Sequence, residues 1–319
     1  MIEIQIINND VIYFPLITGE ITWETQIKDA PGKLTFNVIK DSIIDFIEGN
    51  EVRFFVDKKS VFCGYVFTKE RVNSDVISVT AFDQLRYLKN KDTYIYENKK
   101  ASDIVNMISC DFNLKTGEIQ DTSYVISERS DDNITLFDII NNALYVTKLK
   151  TGNEFVLYDD FGKLTLKNIN DMKVENFLID KNNSTYFDYK TTVDENTYSK
   201  VRLRYKSKKK GERKYYTLQN DDAIKKWGVL QYDTRLEEGE NLYQTAKSIL
   251  EQHNKKYRLL TMIGVIGNLN VRGGSLILVD MSLGDIYIND FFTAEKVIHS
   301  FFENEHFMKI TLRSQDFTI

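Results

Sequence analysis

Apolar and polar residues alternate through VRFFVDKKSVFCGYVFTKERVNSDVISVTAFD, residues 52–83. The alternation falls into three segments, and polar turn-forming residues at 57–59 and 73–75 separate them. A period of two is typical of strands that bury one face, and short polar turns join such strands into hairpins. The stretch therefore predicts three consecutive antiparallel strands.

The same alternation precedes this stretch. Every second residue is apolar or threonine at 2–6, 21–25 and 34–38, and turn signals stand between these runs at Asn8-Asn9-Asp10 and Pro31-Gly32. Together the runs predict a first β domain, residues 1–93, built as a small antiparallel barrel or a curled sheet.

A weak internal repeat links the two ends of the chain. VRFFVD (52–57) is similar to SLILVD (275–280), and each leads into a hairpin of similar length. Two copies of one barrel would explain the repeat, and so would a chance similarity between two antiparallel meanders; the sequence leaves both open. Because the alternation resumes near residue 193 and is broken by one helical stripe, we predict that 193–319 is a second β-barrel domain with one helix.

Between the two β regions the period of the pattern changes. Apolar residues recur at helical spacing after Ser102, a candidate N-cap, and again from Leu136 to a stop at Gly152. FVLYDDFGKLTLKN (155–168) then predicts a hairpin. Residues 94–192 should therefore form an α+β middle domain, and the fold class of the whole chain is α+β, mainly β.

Composition excludes several classes of protein. The chain is 42% hydrophobic, which is enough for a core in each domain, and its formal net charge is -5. Cys63 and Cys110 lie far apart in apolar segments, which predicts two reduced thiols. No basic and then apolar leader opens the sequence, and no apolar run reaches the roughly 18 residues of a membrane-spanning helix. We therefore expect synthesis in the cytoplasm and no membrane partner.

One strongly basic stretch, YKSKKKGERKYY (205–216), stands out in this acidic chain. Basic side chains between aromatic ones are typical of nucleic-acid binding, but they also occur at solvated hairpin tips. Two strands of the second barrel, 198–205 and 213–219, would make this stretch such a tip, and the negative net charge favours that interpretation. We predict no specific nucleic-acid binding and a contact with a partner protein, for which the candidates are Lys206, Lys208, Lys209, Lys210, Arg213 and Lys214.

No combination of residues predicts an active site. His299 and His306 flank the turn FFENE and are weak candidates for a metal site, because cross-strand pairing could bring them together. We otherwise predict no catalytic residue, no cofactor and no metal. The aromatic content, 18 Tyr and 20 Phe, leaves one alternative function, a cell-wall hydrolase or its carbohydrate-binding module.

The order of several segments resembles one known family. After residues 62–96 these are LFDIINNAL (136–144), FVLYDDFGKLTLKN (155–168), KWGVLQYDTRLEEGEN (226–241) and VIHSFFENEHFMKITLR (297–313). In this order they resemble the baseplate hub proteins of contractile phage tails, specifically the hubs of PBSX-like defective prophages and of phage-tail-like bacteriocins. The resemblance covers about residues 30–315.

This resemblance implies a structural protein, not an enzyme. It implies a homotrimer in which each chain contributes two tail-tube-like β-barrels, so that six similar barrels form a ring. Such a ring adapts the six-fold tail tube to the three-fold spike. The implied partners are the tail tube protein, the spike protein and other baseplate or tape-measure proteins, within a phage tail or a tail-like particle.

Overall fold

The computed structural model describes residues 1–72, 75–180, 185–194, 196–206, 213–235, 241–284 and 286–314. Within these ranges the α-helices are α1 (Ala101–Asp111), α2 (Leu136–Thr151), α3 (Asp221–Trp227) and α4 (Leu242–His253). The strands are β1 (Ile2–Asn8), β2 (Val11–Tyr13), β3 (Ile17–Gln26), β4 (Lys33–Ile39), β5 (Glu51–Val56), β6 (Lys59–Arg71), β7 (Val76–Phe82), β8 (Lys91–Lys100), β9 (Thr116–Ile119), β10 (Val125–Thr135), β11 (Phe155–Asp159), β12 (Leu164–Asn168), β13 (Lys173–Ile179), β14 (Tyr186–Thr192), β15 (Lys200–Lys206), β16 (Arg213–Gln219), β17 (Gln231–Arg235), β18 (Tyr257–Ile266), β19 (Leu276–Ser282), β20 (Tyr287–Phe302) and β21 (Glu305–Ser314). Short 3-10 helices lie at Gln84–Lys89 and Ile169–Met172.

One large sheet runs through most of the chain. Its hydrogen-bonded order is β14-β18-β21-β20-β3-β4-β7-β6-β5-β1-β2, and β19 joins it beside β20 and pairs in turn with β13. The β13–β19 pair is parallel, and the other pairs described in this sheet are antiparallel. The mainly β, antiparallel fold expected from the alternation is confirmed.

Strands β1–β7 enclose a first hydrophobic core. Alternate residues of each strand point into it, as the period of two requires. The stretch 52–83 accordingly folds into β5, β6 and β7, which are consecutive neighbours in the sheet. The buried side chains of this first core include Ile4, Ile6, Trp23, Leu34, Phe36, Val52, Phe54, Val66 and Val79.

A second hydrophobic core lies between β13, β14 and β18–β21. It is built by the same alternation, and it includes Ile179, Leu260, Met262, Ile277, Val279, Phe292, Val297, Ile310 and Leu312. The strand β20 is 16 residues long and belongs to both cores, because its residue Phe301 is buried in the first one.

The middle of the chain packs α1 and α2 on short strands. Thr135 caps α2, since its hydroxyl accepts the Asp138 N–H at 3.1 Å, and Gly152 ends this helix in the left-handed region with φ 77°. The cap predicted at Ser102 is wrong. Lys100 precedes the first turn of α1, and the Ser102 hydroxyl instead lies, buried, 3.4 Å from the hydroxyl of Thr122.

The strands predicted at 198–205 and 213–219 exist as β15 and β16, but they do not belong to the large sheet. They form a separate three-stranded sheet with β17. The apolar face of this small sheet is buried by α4, with Val201 and Leu203 in one cluster with Ala246 and Ile249. The C-terminal region also has a second helix, α3, where one helix was predicted. The pattern could not show this, because alternation fixes which face is buried and not what covers it.

The predicted domain boundaries at residues 93 and 192 stay predictions. The structure adds one fact that bears on them: β13 and β14 precede residue 192, and both pair with strands of the second core. Among the described residues, no helix has the length and apolar character needed to cross a membrane.

Candidate assembly interface

The two halves of the large sheet have the same strand order. In the first half the order is β1-β5-β6-β7-β4-β3, and in the second half it is β13-β19-β20-β21-β18-β14. Ranked by position along the chain within each half, both orders read first, fourth, fifth, sixth, third, second. The strand order expected from the repeat of 52–83 in 275–313 is therefore present in the structure. The halves differ at their first strand, because β1 pairs antiparallel with β5 whereas β13 pairs parallel with β19.

Hydrogen bonds match between the halves residue by residue. The Val66 carbonyl oxygen accepts a hydrogen bond from the Gly49 N–H, and the Val66 N–H donates to the Asn50 carbonyl oxygen. In the second half Ala294 makes the same two bonds with Gly274 and Ser275. Both glycines have a positive φ, 90° and 94°, and the bulge that follows Val66 in β6 recurs after Ala294 in β20. A chance likeness between two meanders does not produce such agreement, so the repeat is structural.

The two halves join as one continuous sheet. The second part of β20 pairs antiparallel with β3, from Lys296 opposite Gln26 to Phe301 opposite Ile21. The ring of Phe301 contacts that of Phe54 at 5.1 Å between centroids, so a strand of the second half completes the first core. On the outer face Lys296 forms an ion pair of 2.7 Å with Glu24 of β3. We call this pairing of β20 with β3 the junction.

A turn of the second half also holds the edge of β3 at the junction. The N–H of Gly273 donates to the Thr25 hydroxyl at 2.9 Å, and the N–H of Ile27 donates to the Glu295 carbonyl oxygen. A Cβ atom at Gly273 would lie 2.3 Å from the backbone carbon of Gln26. Glycine is therefore required here by the close approach of two backbones.

The two histidines suggested as metal ligands meet inside the junction. His299 Nδ1 lies 2.9 Å from His306 Nε2, and His299 Nε2 lies 2.8 Å from the Val271 carbonyl oxygen. Because a carbonyl oxygen only accepts, His299 Nε2–H must be the donor there, and its Nδ1 accepts the His306 Nε2–H. The His299 ring also stacks on Trp23 at 4.6 Å.

Electrostatics keep this histidine pair neutral. Burial, and to a smaller extent the neighbouring His306, lower the pKa of His299 to about 3, and burial lowers the pKa of His306 to about 4. Both nitrogens of His299 are already hydrogen-bonded, and in the described part of the chain no group of three His, Cys, Asp or Glu could hold a metal ion. In this arrangement the pair supports packing of the junction.

A buried charged cluster ties the middle of the chain to both halves. The Asp83 carboxylate accepts the Gly32 N–H at 2.8 Å and the Leu85 N–H at 3.0 Å. From the second half, the half-buried Arg272 donates to the Asp159 carbonyl oxygen at 2.7 Å. Burial raises the pKa of Asp83 well above its usual range and that of Asp159 to about 6. No sequence signal indicates this cluster, because its members are distant in sequence and follow no motif.

The predicted partner-contact residues lie partly beyond what the structure describes. Lys208, Lys209 and Lys210 fall outside the described residues, as do the side chains of Lys206 and Arg213, and Lys214 is exposed on β16. The strands that lead to this tip pair as predicted. On the neighbouring strands both Arg202 and Arg204 form ion pairs with Asp233, so these two guanidinium groups already have a carboxylate partner.

Comparison with known proteins identifies the family. The model of the YQBQ-like family matches residues 21–313. The chain belongs to the YQBQ-like family. It is 30% identical over 321 residues to the uncharacterized protein YqbQ of Bacillus subtilis (strain 168), covering 97% of this chain and 96% of that relative. It is 29% identical over 320 residues to the phage-like element PBSX protein XkdQ of the same strain, with the same coverage. The resemblance to proteins of PBSX-like prophages is confirmed.

A solved structure agrees with this assignment. The 43 kDa tail protein of prophage MuSo2 from Shewanella oneidensis has a TM-score of 0.70 to this chain, at 12% sequence identity, and the match covers 97% of this chain and 98% of that one. At that identity the likeness concerns the fold. This member of the YQBQ-like family therefore has the fold of a phage tail protein.

Proposed function

We propose that this protein is the structural hub of a contractile tail baseplate. Three copies would form a ring of six similar sheet units, with the six-fold tail tube on one side and the three-fold spike on the other. The hub would be made in the bacterial cytoplasm and act as a component of a phage tail or a tail-like particle. Other baseplate or tape-measure proteins are further partners in this proposal.

The observation that carries the proposal is the internal repeat with its junction. Each chain holds two units with the same strand order, already joined side by side through β20 and β3. A contact between two different edges is heterologous, and repeating it around an axis closes a ring if the rotation permits. Two units in a chain turn a three-fold set of chains into a six-fold set of units. The number three comes from the family resemblance.

The basic hairpin tip fits this role as a contact with an acidic surface of another tail protein. Lys214 is exposed, and the adjacent Arg202 and Arg204 are paired with Asp233. A strand-rich particle protein gains from lysine near a hairpin tip, because charge discourages pairing with unrelated strands. We propose this contact in preference to a nucleic-acid site.

The alternative function, a hydrolase or carbohydrate-binding module, has no support in the described residues. The buried carboxylates of Asp83 and Asp159 come closest to an acid/base pair. Asp83 accepts two backbone N–H groups, and Asp159 accepts the Gly162 N–H at 2.6 Å. Asp83 is fully buried, so a polysaccharide does not reach it.

Native mass spectrometry and electron microscopy of the purified protein test the ring. We expect a species of three times the 37.3 kDa chain mass, and class averages with six similar lobes around a central opening. Co-expression with a spike protein from the same tail system should raise the trimer fraction if the spike stabilises the ring. A protein that stays monomeric under both conditions, or a ring with a different number of chains, would contradict the proposal.

A further inference from the structure

Among the strand edges of the described structure that have no strand beside them, two belong to the large sheet and lie far apart in it, one on β6 and one on β14. On one edge β6 pairs with β7 throughout residues 65–71. Its other edge pairs with β5 and then bonds through Val66 to the turn at Gly49, and beyond Val66 no described strand lies beside that edge. At the far end of the large sheet, β14 pairs only with β18. Six strands separate β14 from β6 in the sheet order.

These two edges are the matched counterparts of the junction. Val66 matches Ala294, so residues 68–70 of β6 match residues 296–298 of β20, the part that pairs with β3. At the other edge, Tyr189 lies opposite Leu260 as Trp23 lies opposite Leu34, so β14 matches β3. Within the chain the junction joins one pair of these matched edges, β20 and β3. The other matched pair, residues 68–70 of β6 and strand β14, lies at two distant places in the sheet and is not joined.

Exposure of the matched residues shows what the junction covers. On β3 Ile21 is 3% exposed and Trp23 is 4% exposed, because β20 lies beside them. On β14 the matched residue of Ile21 is Phe187, which is 41% exposed. Beside the β6 edge, the loop before β5 exposes 77% of Ile43 and 57% of Ile47. Both edges thus carry apolar surface of the kind that the junction buries.

The geometry points to an antiparallel pairing of residues 68–70 of one copy with β14 of a second copy, in the register of the junction. This inference rests on the proposed ring and specifies its contact between chains. The register places Thr68 opposite Thr192, Lys69 opposite Thr191 and Glu70 opposite Lys190 of the second copy.

Charge supports this occupant and this register. Glu70 of one copy faces Lys190 of the next, and within the described chain neither side chain has an ion-pair partner. Opposite charges directly across a strand pair are stabilising, and like charges are destabilising. The matched positions in the junction are Ile298 and Glu24.

The hydrogen bond from the Gly273 N–H to the Thr25 hydroxyl also has a counterpart at the two matched edges. Thr191 matches Thr25, whose hydroxyl accepts the Gly273 N–H, and Glu48 matches Gly273. The Glu48 N–H of one copy would therefore donate to the Thr191 hydroxyl of the next. Because Glu48 has a Cβ atom, the second copy must lie slightly further from this turn than β3 lies from Gly273.

A disulfide across the predicted contact tests the register. In a Cys63→Ala, Cys110→Ser background of the full chain, Glu70→Cys with Lys190→Cys is oxidised and run on a non-reducing gel. The Cα atoms of facing residues in a strand pair lie within reach of a disulfide. We expect covalent dimers and closed trimers. Glu24→Cys with Ile298→Cys is the matched control inside the chain and should close without change in mass, and Glu70→Cys with Thr191→Cys should cross-link poorly because adjacent strand residues face opposite sides.

Charge reversal gives a test without cysteine. Glu70→Lys should weaken trimer formation about tenfold per contact, and adding Lys190→Glu should restore it. Glu97→Lys, on β8 of the middle region, is the control for a change of net charge.

The outcomes separate this inference from the proposed ring. Trimers by native mass without the 70–190 cross-link, while the 24–298 control closes, would overturn the register and leave the ring standing. Monomers in every measurement, with no cross-link, would overturn both. Cross-linking of 70 with 191 as efficient as 70 with 190 would also refute the register.

Discussion

Acid should weaken the junction through His299, and the size of the effect follows from its surroundings. Burial lowers the pKa of His299 to about 3 in the folded protein, whereas an exposed histidine titrates near 6.5. Below pH 6.5 the His299 imidazole therefore binds a proton in the unfolded chain but stays unprotonated in the folded chain. The stability contributed by the neutral ring is complete above that pH and is lost as the pH falls towards 3. At pH 5 the loss is about 2 kcal/mol, at 1.36 kcal/mol for each pH step below the unfolded pKa.

The variant that isolates this contribution is His299→Gln. Glutamine does not titrate, and its amide can still donate to the Val271 carbonyl oxygen and accept from His306. Wild type alone would not serve, because the pKa of Asp159 is raised to about 6 and its contribution has the opposite sign, growing as the pH falls from 6 towards 4. In the difference between wild type and variant, the Asp159 contribution cancels.

Urea unfolding at pH 7, 6 and 5 measures the effect, and the fluorescence of Trp23, which stacks on His299, reports on the junction. We expect the stability advantage of wild type over His299→Gln to fall by about 2 kcal/mol between pH 7 and pH 5. Ser300→Ala, the next residue on β20, is the control and should show no pH-dependent difference. If the difference for His299→Gln is also independent of pH, His299 titrates normally in the folded protein and the proposed hydrogen-bonded, neutral pair is wrong.

Three further predictions concern other parts of the chain. Cys110 is exposed and should react quickly with a thiol reagent in the native protein, whereas Cys63, whose pKa burial raises to about 12, should react slowly; under denaturant both should titrate, and finding no thiol would contradict the structure. Gly152→Ala should cost about 1 kcal/mol of stability in thermal unfolding, because alanine is strained at φ 77°, while Thr151→Ala next to it should cost less. The parent protein should show little DNA affinity in filter binding at physiological salt. Tight, salt-dependent DNA binding would contradict our interpretation of the basic tip if that binding is lost when the tip lysines are changed to Ser. These lysines are Lys206, Lys208, Lys209 and Lys210.

Much of the local structure could be read from the sequence. The alternation in 52–83 predicted β5–β7, the stripe ending at Gly152 predicted the end of α2, and FVLYDDFGKLTLKN predicted β11 and β12. These predictions succeeded because each depends on interactions among residues close in sequence: the pleat of a strand, the cap of a helix and the turn of a hairpin. The repeat was visible as well, although its register was not: the sequence aligned residue 52 with 275, whereas the sheet matches Val52 with Ile277.

The candidate interface was not readable in this way. The histidine pair could be suggested from the hairpin, but its third partner, the carbonyl of Val271, and its neighbour Trp23 come from other segments. The cluster of Asp83, Asp159 and Arg272 had no sequence signal, since nothing local requires a buried charge at those positions.

The sequence by itself determined many of the strands and which face of each is buried, and it suggested that two similar sets of strands exist. Only the tertiary structure decided how those sets join: β20 extends past β19 to pair with β3, β13 runs parallel to β19, and β15–β17 form a sheet of their own. The physical reason is that a strand's alternation specifies a buried face but not a neighbour. Neighbours are chosen by hydrogen bonding and packing between segments that can lie hundreds of residues apart, as Thr25 and Gly273 do, and those contacts exist only once the chain has folded.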